Sequence, residues 1–210
     1  MSVEDGSNDW NAILDNLREL SEVGGGDTAF VDRVAALRSS FPDDLAGRLA
    51  WAVLFAAATT ERSLTEDTAL ELGDLVRDHA DDADDFTIGY KYAFALHPNS
   101  DRVLRAIVRE AEDNGYVCED AIELAAQKAD DARARFLRAC ALLLAYHTGE
   151  TMTDRRRLDS LLRAIDVVRR RDPAFGLADL EQADAFLQAE HSLSRPEGEA
   201  WEEVRDRFAS

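Results

Sequence analysis

The chain has 210 residues, 46% of them hydrophobic, and its 43 acidic against 24 basic side chains give a net charge of −19. That length and apolar content suffice for a buried core, and two cysteines, Cys118 and Cys140, without CxxC spacing exclude a disulfide-built scaffold. No basic segment leads into an apolar signal, and the near-apolar run from Leu49 to Ala58 is shorter than the roughly 20 residues that span a bilayer, so a soluble, cytoplasmic protein with no membrane partner is expected.

Apolar residues recur with helical period throughout, and no segment alternates as a strand. The first predicted helix runs from Asp9 to Glu22, with Trp10, Ile13, Leu14, Leu17 and Leu20 on one stripe, and Gly24-Gly25-Gly26 ends it. Asp27 reads as the N-cap of a helix carrying Phe30, Val31, Val34 and Leu37, which stops before Phe41-Pro42. The next begins at Asp43 or Asp44 and reaches Thr60. It is apolar nearly all round, the pattern of a helix surrounded by others. Thr65 to His79 follows, with Thr65 as N-cap and Thr68 where a capping box places Glu, so the box is incomplete. The acidic turn Asp81-Asp82-Ala83-Asp84-Asp85 leads into a helix that reaches His97 and ends at Pro98.

A helix from Asn99 to Asn114 is expected to bury Val103, Leu104, Ile107, Val108 and Ala111, with Gly115 as its C′ residue. Glu119 to Lys128 and Asp130 to His147 form one bent helix or two. Thr153 to Arg171 uses Leu158, Leu161, Leu162, Ile165 and Val168, and the stretch from Pro173 to Gly176 breaks the chain. Leu177 to Glu190 and Glu197 to Phe208 complete the series, the last presenting Trp201, Val204 and Phe208 on one face. The fold class is therefore all-α, a compact array or short solenoid of about ten antiparallel helices paired as hairpins. Residues 1–26 are expected to form an N-terminal helix with a Gly-rich hinge, and residues 27–210 a single all-helical domain. Helix pairs starting near Asp27, Thr65 and Asn99 recur at intervals of roughly thirty-odd residues, but Gly73, Asp74, Arg77 and Phe86 break the tetratricopeptide pattern, so no repeat family is assigned.

Two constellations are candidates for partner binding. Phe86, Tyr90, Phe94 and His97 fall on one helical face, where they line a groove for an apolar partner helix or else pack the core. Arg102, Arg105 and Arg109 form a cationic stripe with Glu112 and Asp113 only at its end, suited to a carboxylate surface. The arginines between Arg155 and Arg171 are expected to be neutralised locally. Arg156, Asp159, Arg163, Asp166 and Arg170 alternate in sign at helical spacing, which reads as an ion-pair ladder worth about 0.2–0.5 kcal/mol per pair. Direct nucleic-acid binding is not expected, because the total charge repels phosphate and no nucleic-acid motif is present.

No catalytic residue, metal-ligand set or cofactor site emerges. His79, His97, His147 and His191 are isolated, and none belongs to an HExxH motif. Asp81, Asp82, Asp84 and Asp85 lack the Gly and terminal Glu of a calcium loop. Cys140 reads as a small buried hydrophobe, and Glu119 and Asp120 oppose activation of Cys118. The Trp10–Leu20 and Trp201–Phe208 faces are each expected to dock on the body of the chain, exchange with a second copy, or enter a partner's groove.

The charged residues are chosen unevenly: 22 Arg against 2 Lys, and 26 Asp against 17 Glu. This usage resembles that of proteins from salt-accumulating haloarchaea, in which short hydrated carboxylates compete for water. A high-GC genome also enriches Ala, Asp and Arg. The expected function is that of a non-enzymatic helical adaptor or protein-interaction protein, which meets another protein or a second copy of itself through helix faces. A regulatory or defence-associated factor acting on a nucleic-acid complex comes second, and an enzyme with dispersed site residues third.

Overall fold

The computed structural model describes residues 46–59, 63–78, 83–148, 152–190 and 195–209. Among the described residues every regular element is an α-helix and none is a strand. They form two compact units that divide between Leu96 and His97. No long polar linker marks the division, which falls at the short turn over His97, Pro98 and Asn99 within the stretch read from sequence as one domain. The helices predicted over 9–22 and 27–41, and the glycines between them, lie outside the described residues.

The first unit contains α1 (Ala46–Thr59), α2 (Glu66–Asp78) and α3 (Ala83–Leu96), each packed on the other two. Its core joins Val53, Leu54 and Ala57 of α1 to Leu72 and Val76 of α2 and to Tyr90, Ala93 and Phe94 of α3. The cap of α2 is the one the sequence suggests. Thr65 Oγ1 accepts from the Thr68 amide at 3.2 Å, and the two threonine hydroxyls pair at 2.8 Å, where a capping box would use a carboxylate. Gly73 lets α3 approach closely: a Cβ there would stand 2.8 Å from Tyr90 Cδ1.

The second unit contains α4 (Asp101–Ala126), α5 (Asp131–Thr148), α6 (Asp154–Arg171), α7 (Leu177–Glu190) and α8 (Glu199–Ala209). The expected stop at Gly115 does not occur. Ser100 caps α4, its Oγ accepting from the Val103 amide at 3.1 Å, and the helix runs for 26 residues, carrying the Glu119 segment with it. A mid-helix glycine costs only about 1 kcal/mol relative to alanine. Burial of Val103, Leu104, Ile107 and Val108 before it and of Ala121, Ile122 and Ala125 after it outweighs that cost.

Helix α5 is the hub of this unit and packs on α4, α6 and α7 through Phe136, Leu137, Cys140, Leu143 and Leu144. Its half-buried Arg135 and Arg138 share Asp172 in the α6–α7 turn, at 4.0 Å each, and Arg135 also faces Asp179 on α7 at 3.7 Å. The C-terminal helix docks on its own unit: Trp201 and Val204 are buried, and the Phe208 ring lies 6.2 Å from that of Phe175. Gly198 enters α8 with φ of 54°, a conformation that suits glycine.

Candidate functional site

The candidate residues are divided between the units, Phe86, Tyr90 and Phe94 in the first and His97, Arg102, Arg105 and Arg109 in the second. In the first unit, Phe86 lies in α3, and its side chain is outside the described residues. Tyr90 is 1% and Phe94 0% exposed, so both serve the helix packing. The Tyr90 ring covers Gly73, while its hydroxyl donates to Asp74 and accepts from Arg77 Nη1 at 3.1 Å. Arg77 in turn pairs with Asp74 at 3.3 Å. A buried phenol needs such partners, because an unsatisfied hydroxyl costs about 1–3 kcal/mol.

The aromatic residues nearer solvent are different ones. Trp51 and Phe55, one turn apart on α1, stack with centroids 5.4 Å apart, and Tyr92 of α3 meets Phe55 edge-on at 5.3 Å. Phe55 is 41% exposed. The spacing of Trp51 and Phe55 was visible in the sequence, but the apolar surroundings on every side of α1 hid which residue would face outward.

In the second unit, Arg102, Arg105 and Arg109 are all exposed along one side of α4. Arg105 is drawn to α7, its Nε 2.9 Å from Glu190 Oε1 and its guanidinium 5.9 Å from the Phe186 centroid. The Arg109 side chain makes no hydrogen bond or ion pair among the described residues. His97 precedes α4, half-buried, with Nε2 enclosed and not hydrogen-bonded among the described residues.

The predicted ladder on α6 is not the one that forms. Asp159 pairs with Arg155 at 3.1 Å, and Arg155 also reaches Glu203 of α8 at 2.8 Å. Asp166 is taken by the Arg207 fork from α8, with Nε 3.0 Å from Oδ1, and that hydrogen bond holds its carboxyl below the usual range. The cause is tertiary: docking of α8 presents a bidentate guanidinium, a better match for a carboxylate than a neighbour on the same helix. Among the described residues Arg156, Arg163 and Arg170 consequently form no ion pair with a carboxylate, although the charge of Arg170 still helps to lower Asp166.

Three features bear on acid–base and metal chemistry among the described residues. Among the described residues no group of three or more His, Cys, Asp or Glu is placed to hold a metal ion. Burial pushes the Cys140 thiol well up, away from the thiolate that reacts. Among the described residues Glu119 is strongly shifted: burial, aided by Asp120, pushes it up to about 7 against the Thr148 hydroxyl, which donates to it at 3.3 Å. His79 and His191, the acidic pair Asp81-Asp82, and the side chains of Asp84, Asp85 and Cys118 lie outside the described residues. No described helix is long and apolar enough to cross a membrane. No family model, curated protein or solved structure matches the chain.

Proposed function

We propose that the chain is a non-enzymatic helical adaptor, a protein-interaction protein that holds a carboxylate-bearing partner segment against the outward side of α4. The observation that supports this is Arg109, exposed and without a partner among the described residues, beside exposed Arg102 and Arg105. In a protein of net charge −19, a cation with no partner among the described residues carries local contrast, and a partner's carboxylate is its closest chemical match. Arg105 contributes less to such a contact, because Glu190 already engages it. Tyr90 and Phe94 act through the stiffness of the first unit, and a groove lined by them would require that core to open. An array of about ten antiparallel helices, working in the cytoplasm of a salt-accumulating organism, belongs to the same proposal and fits the acid-rich composition.

The test is affinity capture by the tagged full chain from native extract in molar KCl. A stoichiometric protein, or a second copy of the chain, is expected to be captured and to be lost with the double variant Arg102→Glu, Arg109→Glu, whose circular dichroism stays that of the parent. A partner retained by the folded variant rejects the α4 surface. A mobility shift of duplex DNA that survives molar salt supports the nucleic-acid alternative instead.

A further inference from the structure

The outward side of α6 carries Arg156, Arg163 and Arg170 at seven-residue intervals, with Ser160 and Val167 between them and Arg171 at the end. This stripe lies opposite the buried Leu158, Leu161 and Ile165. All four arginines are exposed, and among the described residues none forms an ion pair; Arg163 donates to Ser160 Oγ at 3.1 Å. The acids of the same helix form their ion pairs with other arginines, Asp154 with Arg157, Asp159 with Arg155 and Asp166 with Arg207, and of the stripe only Arg170 also acts on Asp166 through its charge. Helix stability accounts for part of the stripe only. Arg170 and Arg171 sit in the last turn, where the dipole favours cations, but Arg156 sits in the first turn, where it disfavours them.

We propose that this side of α6 docks an acidic amphipathic helix of a partner protein. Charge complementarity selects the sign of the partner, and the period selects its form. Seven residues of helix advance about 10.5 Å, so carboxylates at i, i+7 and i+14 of a partner helix meet Arg156, Arg163 and Arg170 in a single register. Val167, 38% exposed within the stripe, gives an apolar contact to a partner helix that a phosphodiester backbone has no group to match. A second copy's α6 is excluded as the occupant, because the same arginines would face one another. The surface is separate from the Arg102 and Arg109 side of α4, and its occupancy does not depend on that one.

Fluorescence anisotropy of the full chain with a labelled synthetic helix tests this. The probe bears Glu every seven residues beside an aliphatic seam; a peptide of equal composition with the glutamates scattered round the helix, and a labelled DNA duplex, serve as comparisons. The ordered peptide is expected to bind about tenfold more tightly than the scattered one, and the pair Arg163→Gln, Arg170→Gln to weaken it by about tenfold or more. Arg109→Glu is expected to leave it unchanged. These glutamine variants keep two of the three methylenes of each stem and break no internal ion pair among the described residues, so unchanged circular dichroism accompanies the loss. Equal binding of ordered and scattered peptides, tighter binding of the duplex, no binding by the parent, or binding indifferent to the α6 variants each overturns the proposal.

Discussion

Glu119 sits in an environment that its neighbours in sequence do not suggest. Its carboxyl is pushed up to about 7 by burial, from an ordinary value of 4.5. Between those values the unfolded chain has released a proton that the folded chain keeps, so the folded state binds more protons and stability falls as pH rises through the window. Glu119→Gln removes the penalty. In urea unfolding, the variant is expected to be more stable than the parent above pH 7, with the difference fading toward acid pH, where both side chains are neutral. A difference constant across pH would show that burial of the charge is not its origin. The sequence marked Glu119 only as a neighbour of Cys118, because the shift comes from enclosure near Thr148, 29 positions along the chain. Tyr90 was legible as an aromatic on a helical face, while its burial and its Asp74 and Arg77 partners required the fold.

At the scale of elements, the limits that depend on local chemistry could be read directly. Thr153 caps α6 through the Arg156 amide at 3.4 Å, and Pro98 follows the end of α3, both as the residue types dictate. Gly115 misled because a glycine after a periodic run signals a C-cap with the same residue that a well-packed helix tolerates in its interior. The α6 ladder misled for a different reason: carboxylate partners at helical spacing compete with partners from elsewhere, and Arg207 arrives at Asp166 from 41 positions away. Gly73, noted in sequence for breaking a repeat pattern, has its explanation in the contact of α2 with α3. Alanine there would bring Cβ within 2.8 and 2.9 Å of the Tyr90 ring, which its hydroxyl bonds hold in place. Overpacking of this kind costs about 1–3 kcal/mol, more than the helix propensity gained, so Gly73→Ala is expected to lower the urea midpoint. A midpoint equal to or above the parent's would mean that the ring moves aside freely.

Across the whole molecule, two electrostatic effects oppose each other as salt is withdrawn. Ion pairs such as Arg155–Glu203 strengthen when screening falls, but so does the mutual repulsion behind a net charge of −19. Exposed pairs contribute little individually, whereas the self-repulsion of a strongly charged chain acts over the whole surface. Helicity measured by circular dichroism is therefore expected to fall as KCl is removed from molar to millimolar concentration. Full helicity at low salt would show that the acid excess is not a liability in dilute solution. The all-helical class of the described residues was readable from period alone, because α-helical stripes recur in almost every segment. The division at Leu96 and His97 was not, since a turn joining two units carries the same residues as a turn joining two helices.

The docking of α8 also bears on how the chain comes into being. Synthesis runs toward the C-terminus, so α6 is complete before the helix that engages it has been made. Until α8 arrives, Asp166 lacks the Arg207 fork, and Arg155 lacks Glu203. Trp201 cannot yet occupy its buried seat, where Arg195 lies over its ring at 5.6 Å. The described part of the second unit thus gains these contacts only when α8 closes over α6, and burial of the Trp201 indole marks that event in the order of assembly.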